Sequence, residues 1–98
     1  MVKHMIIWKL KDEIADKAAY AQKVKEALEG LVGKIDGLVG MHIVTKGLPS
    51  STGDMMMDST FESAEALAVY AKHPLHVEIA DGLVRPAVAS RAAFDYEA

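Results

Sequence analysis

The chain contains no cysteine. Disulfide bonds, metal sites built on thiolates and cysteine nucleophiles are therefore excluded. Long apolar runs are also missing, so no segment is expected to span a membrane. The N-terminal segment is interrupted by charges too often to be a signal peptide. We therefore expect a protein of the cytoplasm with no membrane partner.

Basic residues are scarce as well, since 11 Lys and Arg stand against 14 Asp and Glu and the formal net charge is -3. Because binding to nucleic-acid phosphates favours a basic surface, we expect no nucleic-acid partner. Apolar residues are plentiful and make up 51% of the 98 residues. This composition suits one domain, 1–98, with a modest core that pairing with a second copy would enlarge.

The periodicity of apolar residues predicts the order strand, helix, strand, strand, helix pair, strand. The predicted strands are 2–11, 41–46, 55–61 and 87–96, and the predicted helices are 16–32, 64–72 and 74–81. Gly82 is expected to stop the last helix, and Arg85 is expected to be extended because Pro86 follows it. This order predicts the α+β class and the ferredoxin-like arrangement βαββαβ, with helices on one face of a four-stranded antiparallel sheet.

The first predicted strand is apolar on both of its faces. Ile6 and Trp8 point to one side, and Met5 and Ile7 point to the other. Because the helices can cover only one face of the sheet, the other face is expected to pack against the same face of a second copy. The sequence therefore predicts a homodimer with a barrel-like core.

Three segments, in this order, carry a family resemblance. They are the first strand VKHMIIWKLK, the run Phe61-Glu62-Ser63 followed by Tyr70, His73, Pro74 and His76, and the C-terminal run from Arg91 to Tyr96. Together they resemble the stress-responsive α/β-barrel (Dabb) family. The resemblance implies a ferredoxin-like dimer but no single activity, because the family includes plant stress proteins, bacterial proteins of unknown role and a polyketide cyclase.

Similarity to that cyclase, which makes olivetolic acid, implies roles for individual residues. The position of its general base matches His76, and the tyrosine that assists matches Tyr70. His4 and Ile6 match residues that line its pocket. Leu28 falls near a pocket tyrosine of the cyclase, so the pocket of this chain is expected to have a different shape.

These residue types suit the transfer of a proton. Histidine titrates near neutral pH, so His76 can remove an acidic proton next to a carbonyl group. Tyr70 can donate a hydrogen bond to the developing enolate oxygen, and His4 lies in the same predicted catalytic group. Trp8 and His73 are predicted to line the substrate pocket with Ile6. This chemistry requires no cofactor, and we expect none.

A structural interpretation stays open for each of these residues. His73 or His76 can cap a helix end at the Pro74 break, and His4 can be a buried histidine satisfied by one hydrogen bond. His73 and His76 are also metal-ligand types, but the Pro74 break spoils their shared helical face, so no metal is expected. Arg91 and Asp95, on one face of the last strand, are expected to be structural.

Two functions therefore remain possible. The first is a cofactor-free cyclase, isomerase or lyase that acts on a small keto or polyketide-like compound. The second is a non-catalytic stress-response or small-ligand-binding protein. A continuous cavity bounded by His4, Tyr70 and His76 would favour the enzyme, whereas an interior filled by Trp8 would favour the second function.

Overall fold

Four strands and a series of helical segments form the fold in the computed structural model, which describes residues 1–98. The strands are β1 (Val2–Leu10), β2 (Leu38–Val44), β3 (Met55–Phe61) and β4 (Val88–Glu97). The helices are α1 (Lys17–Glu29), α2 (Ala64–Lys72) and α3 (Pro74–Ile79), and a π-helical turn (Ala80–Val84) and a 3-10 turn (Arg85–Ala87) lead into β4. None of these helices combines the length and the apolar character needed to cross a membrane.

The strands form one antiparallel sheet in the order β2-β3-β1-β4. Strand β3 lies between β1 and β2, which α1 connects, and this is the split βαβ arrangement of ferredoxin-like folds. The predicted α+β class and the antiparallel sheet are therefore confirmed.

The helix-facing side of the sheet forms the core. Every second residue of β1 points to this side and is buried there, and α1 packs three buried side chains against the sheet. Met55 and Met57 face the core from β3, whereas Met56 between them is less buried. The buried side chains of β1 and α1 are Val2, His4, Ile6, Trp8, Leu10, Ala21, Val24 and Leu28.

Side-chain caps fix where the helices begin. The Ser63 hydroxyl accepts a hydrogen bond from the Ala66 N–H at 3.1 Å and starts α2. Nδ1 of His73 accepts the Leu75 N–H at 3.1 Å, and Pro74 follows as the first residue of α3. Proline is suited to that position because its fixed φ is already helical and its missing N–H would have no partner there.

Two expectations for the region after α3 are wrong. Gly82 does not stop the helix, because the π-helical turn continues through it to Val84. Arg85 has φ -56 and ψ -41, which is helical rather than extended, although Pro86 follows it. Val84 and Ala87 are both buried on either side of this dipeptide, so core packing outweighs the local bias that proline imposes.

A bulge near the start of β4 decides which of its side chains face the helices. Lys9 pairs with Ser90 but Leu10 pairs with Val88, so β4 holds one extra residue there. Beyond the bulge, Arg91 pairs with Trp8. Because paired residues point to the same face of a sheet, Arg91 lies on the helix-facing side.

No helix of this chain covers the opposite face of the sheet, which we call the outer face. It exposes large apolar side chains, with Ile7 at 50%, Phe94 at 70% and Tyr96 at 44% of their full area. Strand pairing brings Ile7 opposite Met56, and Met5 opposite Phe94. A contiguous exposed apolar face is typical of a protein–protein interface.

Two valine substitutions test where the core lies. Val24 on α1 is fully buried, whereas Val69 on α2 is 58% exposed. We expect Val24→Ala to lower the free energy of unfolding by about 2 kcal/mol, because two buried carbons are lost and a cavity remains. Val69→Ala is the control, because it makes the same change of residue in a helix but at the surface. Its free energy of unfolding should stay within about 0.5 kcal/mol of the wild-type value. Urea unfolding at one protein concentration measures both, and equal effects would contradict this description of the core.

Candidate functional site

A cavity of about 710 Å³ lies between the helix-facing side of the sheet and helices α2 and α3. Its volume is within the range of small-molecule sites, and its walls are mostly apolar. The apolar wall includes Ile6, Trp8, Leu28, Met57 and Leu67, and the polar side chains that line it are His4, Tyr70, His76, Arg85, Arg91 and Asp95.

The half-buried His76 contributes one imidazole from the first turn of α3. Its Nδ1 lies 3.3 Å from the Ala71 carbonyl oxygen. Because a carbonyl only accepts, Nδ1 carries the hydrogen in the neutral ring and Nε2 keeps its lone pair. Burial lowers the pKa of His76; Arg85 and His4 lower it further, while the Ala71 carbonyl and Asp81 act in the opposite direction. The neutral, basic form therefore predominates at pH 7.

Tyr70 lies against His76 with its ring centroid 4.1 Å away, and its other neighbour is Phe61 at 4.9 Å. The tyrosine is 1% exposed, and its hydroxyl makes no hydrogen bond within the protein. Burial raises the pKa of Tyr70, so the hydroxyl keeps its proton. A buried donor without a protein partner lacks an acceptor, and the side chain that carries it lines the cavity.

His4 contributes a second imidazole from β1. It is the pairing partner of Asp95 on β4, and its Nδ1 donates a hydrogen bond to Oδ1 of that residue. The His4 side chain is 10% exposed and that of Asp95 is 48% exposed, so the contact joins a buried ring to a carboxylate at the cavity opening. The carboxylate fixes the ring orientation and leaves Nε2 of His4 free in the neutral form.

The structure brings five of the six predicted site residues to this cavity. His4, Tyr70 and His76 supply its polar groups, and Ile6 and Trp8 belong to its apolar wall. Trp8 lines the cavity without filling it. His73, predicted to bind substrate, does not line the cavity, because its ring accepts the Leu75 N–H as the cap of α3.

Arg85, Arg91 and Asp95 also line the cavity, although the sequence did not indicate this. Arg91 and Asp95 were expected to be structural residues of β4. The sequence indicated only that Arg91 and Asp95 share one face of the last strand. The bulge and the pairing with β1 decide that this face borders the cavity. No group of three or more His, Asp or Glu side chains is arranged to hold a metal ion.

Together, the fold and the site define a ferredoxin-like α+β protein with a cavity between its helices and its sheet. The chain belongs to the stress responsive A/B barrel domain (Dabb) family, whose model matches residues 2–98.

Relatives of known name or structure cover most of the chain. The stress-response A/B barrel domain-containing protein HS1 of Arabidopsis thaliana is 31% identical over 85 residues, which are 81% of this chain and 73% of that protein. A dimeric ferredoxin-like protein of unknown function from Bacteroides fragilis superimposes with a TM-score of 0.88 at 31% identity, covering 99% of this chain and 95% of that one. The Arabidopsis thaliana protein At3g17210 superimposes with a TM-score of 0.83 at 26% identity, and the match covers 100% of this chain and 95% of that one.

The environment of His76 predicts how this residue titrates. We expect its NMR titration midpoint to lie below about 6.5, the ordinary value for histidine, because burial disfavours the charged ring. Its resonance is identified by its loss in His76→Gln. Between the lowered folded pKa and about 6.5, the unfolded chain binds more protons, so the free energy of unfolding falls as the solution is acidified through this window. In His76→Gln, urea unfolding should show a weaker fall of the free energy of unfolding across the same pH window. An NMR titration midpoint of His76 above about 6.5 would contradict this environment.

Proposed function

We propose that this protein is a small enzyme that transfers protons without a cofactor and acts on a keto compound held in the cavity. One observation carries the proposal: buried Tyr70, whose hydroxyl has no partner within the protein, and His76 line the same cavity with their ring centroids 4.1 Å apart. A base and a hydrogen-bond donor are the two groups that enolate formation requires. Cyclisation, isomerisation or bond cleavage can each follow from an enolate.

The reaction starts at Nε2 of His76, which takes the proton from the carbon next to the carbonyl group. The electron pair of the broken C–H bond forms the C=C bond of the enolate, and the π pair of the C=O bond moves onto the oxygen, where the Tyr70 hydroxyl donates a hydrogen bond to the developing negative charge. The protonated His76 then returns its proton to the product. Asp81 and the Ala71 carbonyl favour the protonated ring, which eases this transient state.

The His4–Asp95 pair supports this arrangement from the sheet. His4 lies near enough to His76 for a positive charge on the His4 ring to lower the pKa of His76. This contribution adds to burial in favouring the neutral, basic form of His76. The apolar wall also limits the water that competes for the proton.

Deuterium exchange tests the proposal without knowledge of the natural substrate. 4-Phenyl-2-butanone in D₂O reports proton removal next to its carbonyl group by NMR. We expect the wild type to catalyse exchange, and His76→Gln to lose about 10²–10⁴-fold in rate, because it lacks the general base. Tyr70→Phe should lose about 10²-fold, because it lacks the donor to the enolate oxygen. The rate should fall on acidification as His76 becomes protonated.

His42→Gln is the matched control, since the His42 ring is exposed on β2 and does not line the cavity. It should exchange at the wild-type rate, and circular dichroism should show that every variant is folded. Full activity in His76→Gln would disprove the general-base role. Ligand-induced change in Trp8 fluorescence without any exchange would instead favour the second function, a non-catalytic ligand-binding protein.

We further propose that the protein is a homodimer joined through the outer face. The exposed Ile7, Phe94 and Tyr96 side chains support this interface. The Bacteroides fragilis protein, 31% identical, is described as dimeric. On the same face, Nζ of Lys3 lies 2.5 Å from Oδ1 of Asp58, so these charges are already paired before a second copy packs against them.

Ile7→Lys tests this interface. We expect monomers or insoluble protein, because the variant would bury an unpaired charge between the sheets. Val69→Lys places the same charge on the exposed surface of α2 and should leave the dimer intact. Light scattering measures the mass of both, and a soluble, well-folded dimer of Ile7→Lys would rule this interface out.

A further inference from the structure

The cavity has two chemically different ends, which follow from the pairing of β1 with β4. His4 pairs with Asp95 at one end, and Trp8 pairs with Arg91 at the other. Four residues of a strand span about 13 Å, so these two pairs are separated by roughly that distance. The His4 end also holds Tyr70, because the Phe61 ring contacts both of these rings.

Arg91 supplies the positive charge of the second end. Its guanidinium forms no ion pair with any carboxylate of the chain. The other charged residues of the cavity are paired, because Arg85 contacts Asp81 and Asp95 contacts His4. Arg91 is therefore the charged residue on the cavity wall that has no charged or hydrogen-bonding partner among the side chains of the protein.

We propose that the cavity takes a small molecule with an apolar body and a carboxylate at one end, and that Arg91 binds this carboxylate. The planar guanidinium offers two parallel N–H donors, which match the two oxygens of a carboxylate. The apolar wall between the two ends, with Ile6 and Trp8, accommodates the body. The inference deepens the proposed function and rests on it for the position of the reacting carbon near His76.

The negative charge of Asp95 does not oppose this assignment. Asp95 lies about 13 Å along the strand from Arg91, which exceeds the screening length of about 8 Å at physiological ionic strength. Its carboxylate also accepts the hydrogen bond from His4. An anion at Arg91 therefore meets the nearby cation and little repulsion from the far end.

Trp8 provides the readout, because it is the single tryptophan of the chain and lines the cavity. Its fluorescence is titrated with octanoate and with octanamide, two probes of equal length of which only the first is charged. We expect octanoate to bind about 3- to 10-fold more tightly to the wild type, a range that allows for the exposure of Arg91. Arg91→Gln should remove this preference by weakening octanoate alone. Lys23→Gln removes an exposed positive charge on α1, away from the cavity, and should keep the preference.

The outcomes separate this inference from the proposed function. Equal affinity of the wild type for both probes, or binding of neither at millimolar concentration, would overturn the carboxylate site. A preference that survives in Arg91→Gln would overturn it too, because another group would then bind the anion. A preference that depends on Arg91, in a protein that fails to exchange deuterium, would support the site and contradict the proton-transfer proposal alone.

Discussion

The pairing of β1 with both of its neighbours is the constraint on which the rest of the structure depends. β1 is an inner strand, and its alternating side chains supply the core, one wall of the cavity and the centre of the outer face. The Ser59 hydroxyl donates to the His4 carbonyl oxygen at 2.7 Å, and the His4 ring is held by Asp95. A shift by one residue would exchange the two faces, placing Met5 and Ile7 in the core and His4 outside.

Burial has the same chemical consequence for the two groups of the proposed reaction. Burial raises the pKa of Tyr70 and lowers the pKa of His76, so both side chains favour their neutral forms. Burying an unpaired hydroxyl costs free energy, and folded proteins keep few such groups. The proposed reaction would give the unpaired Tyr70 donor an acceptor beside the basic imidazole of His76.

The edge of the sheet at β2 is partly covered by side chains of α1. Glu29 on α1 accepts the Ile43 N–H at 2.8 Å, and Lys25 donates to the Ile43 carbonyl oxygen at 3.0 Å. Burial raises the pKa of Glu29, but the hydrogen bonds that its carboxylate accepts from the Ile43 N–H and from Lys25, together with the charge of Lys25, outweigh burial, and the pKa lies below its ordinary value. Side chains of α1 therefore occupy the outward backbone groups of Ile43, which makes this part of the edge less open to another strand.

The sequence by itself determined the features that depend on neighbouring residues: the order of elements, the apolar character of both faces of β1, the Ser63 cap and the new helix at Pro74. The family resemblance added the expectation that His4, Tyr70 and His76 share a pocket. Only the tertiary structure decided that Arg91 and Asp95 border the cavity, because the Asp95 contact joins residues 91 positions apart and depends on a bulge in β4. The helical conformation of Arg85 was decided in the same way, since buried neighbours outweighed a local preference. Local chemistry can be inferred from adjacent residues, whereas register and packing depend on contacts formed when distant segments meet.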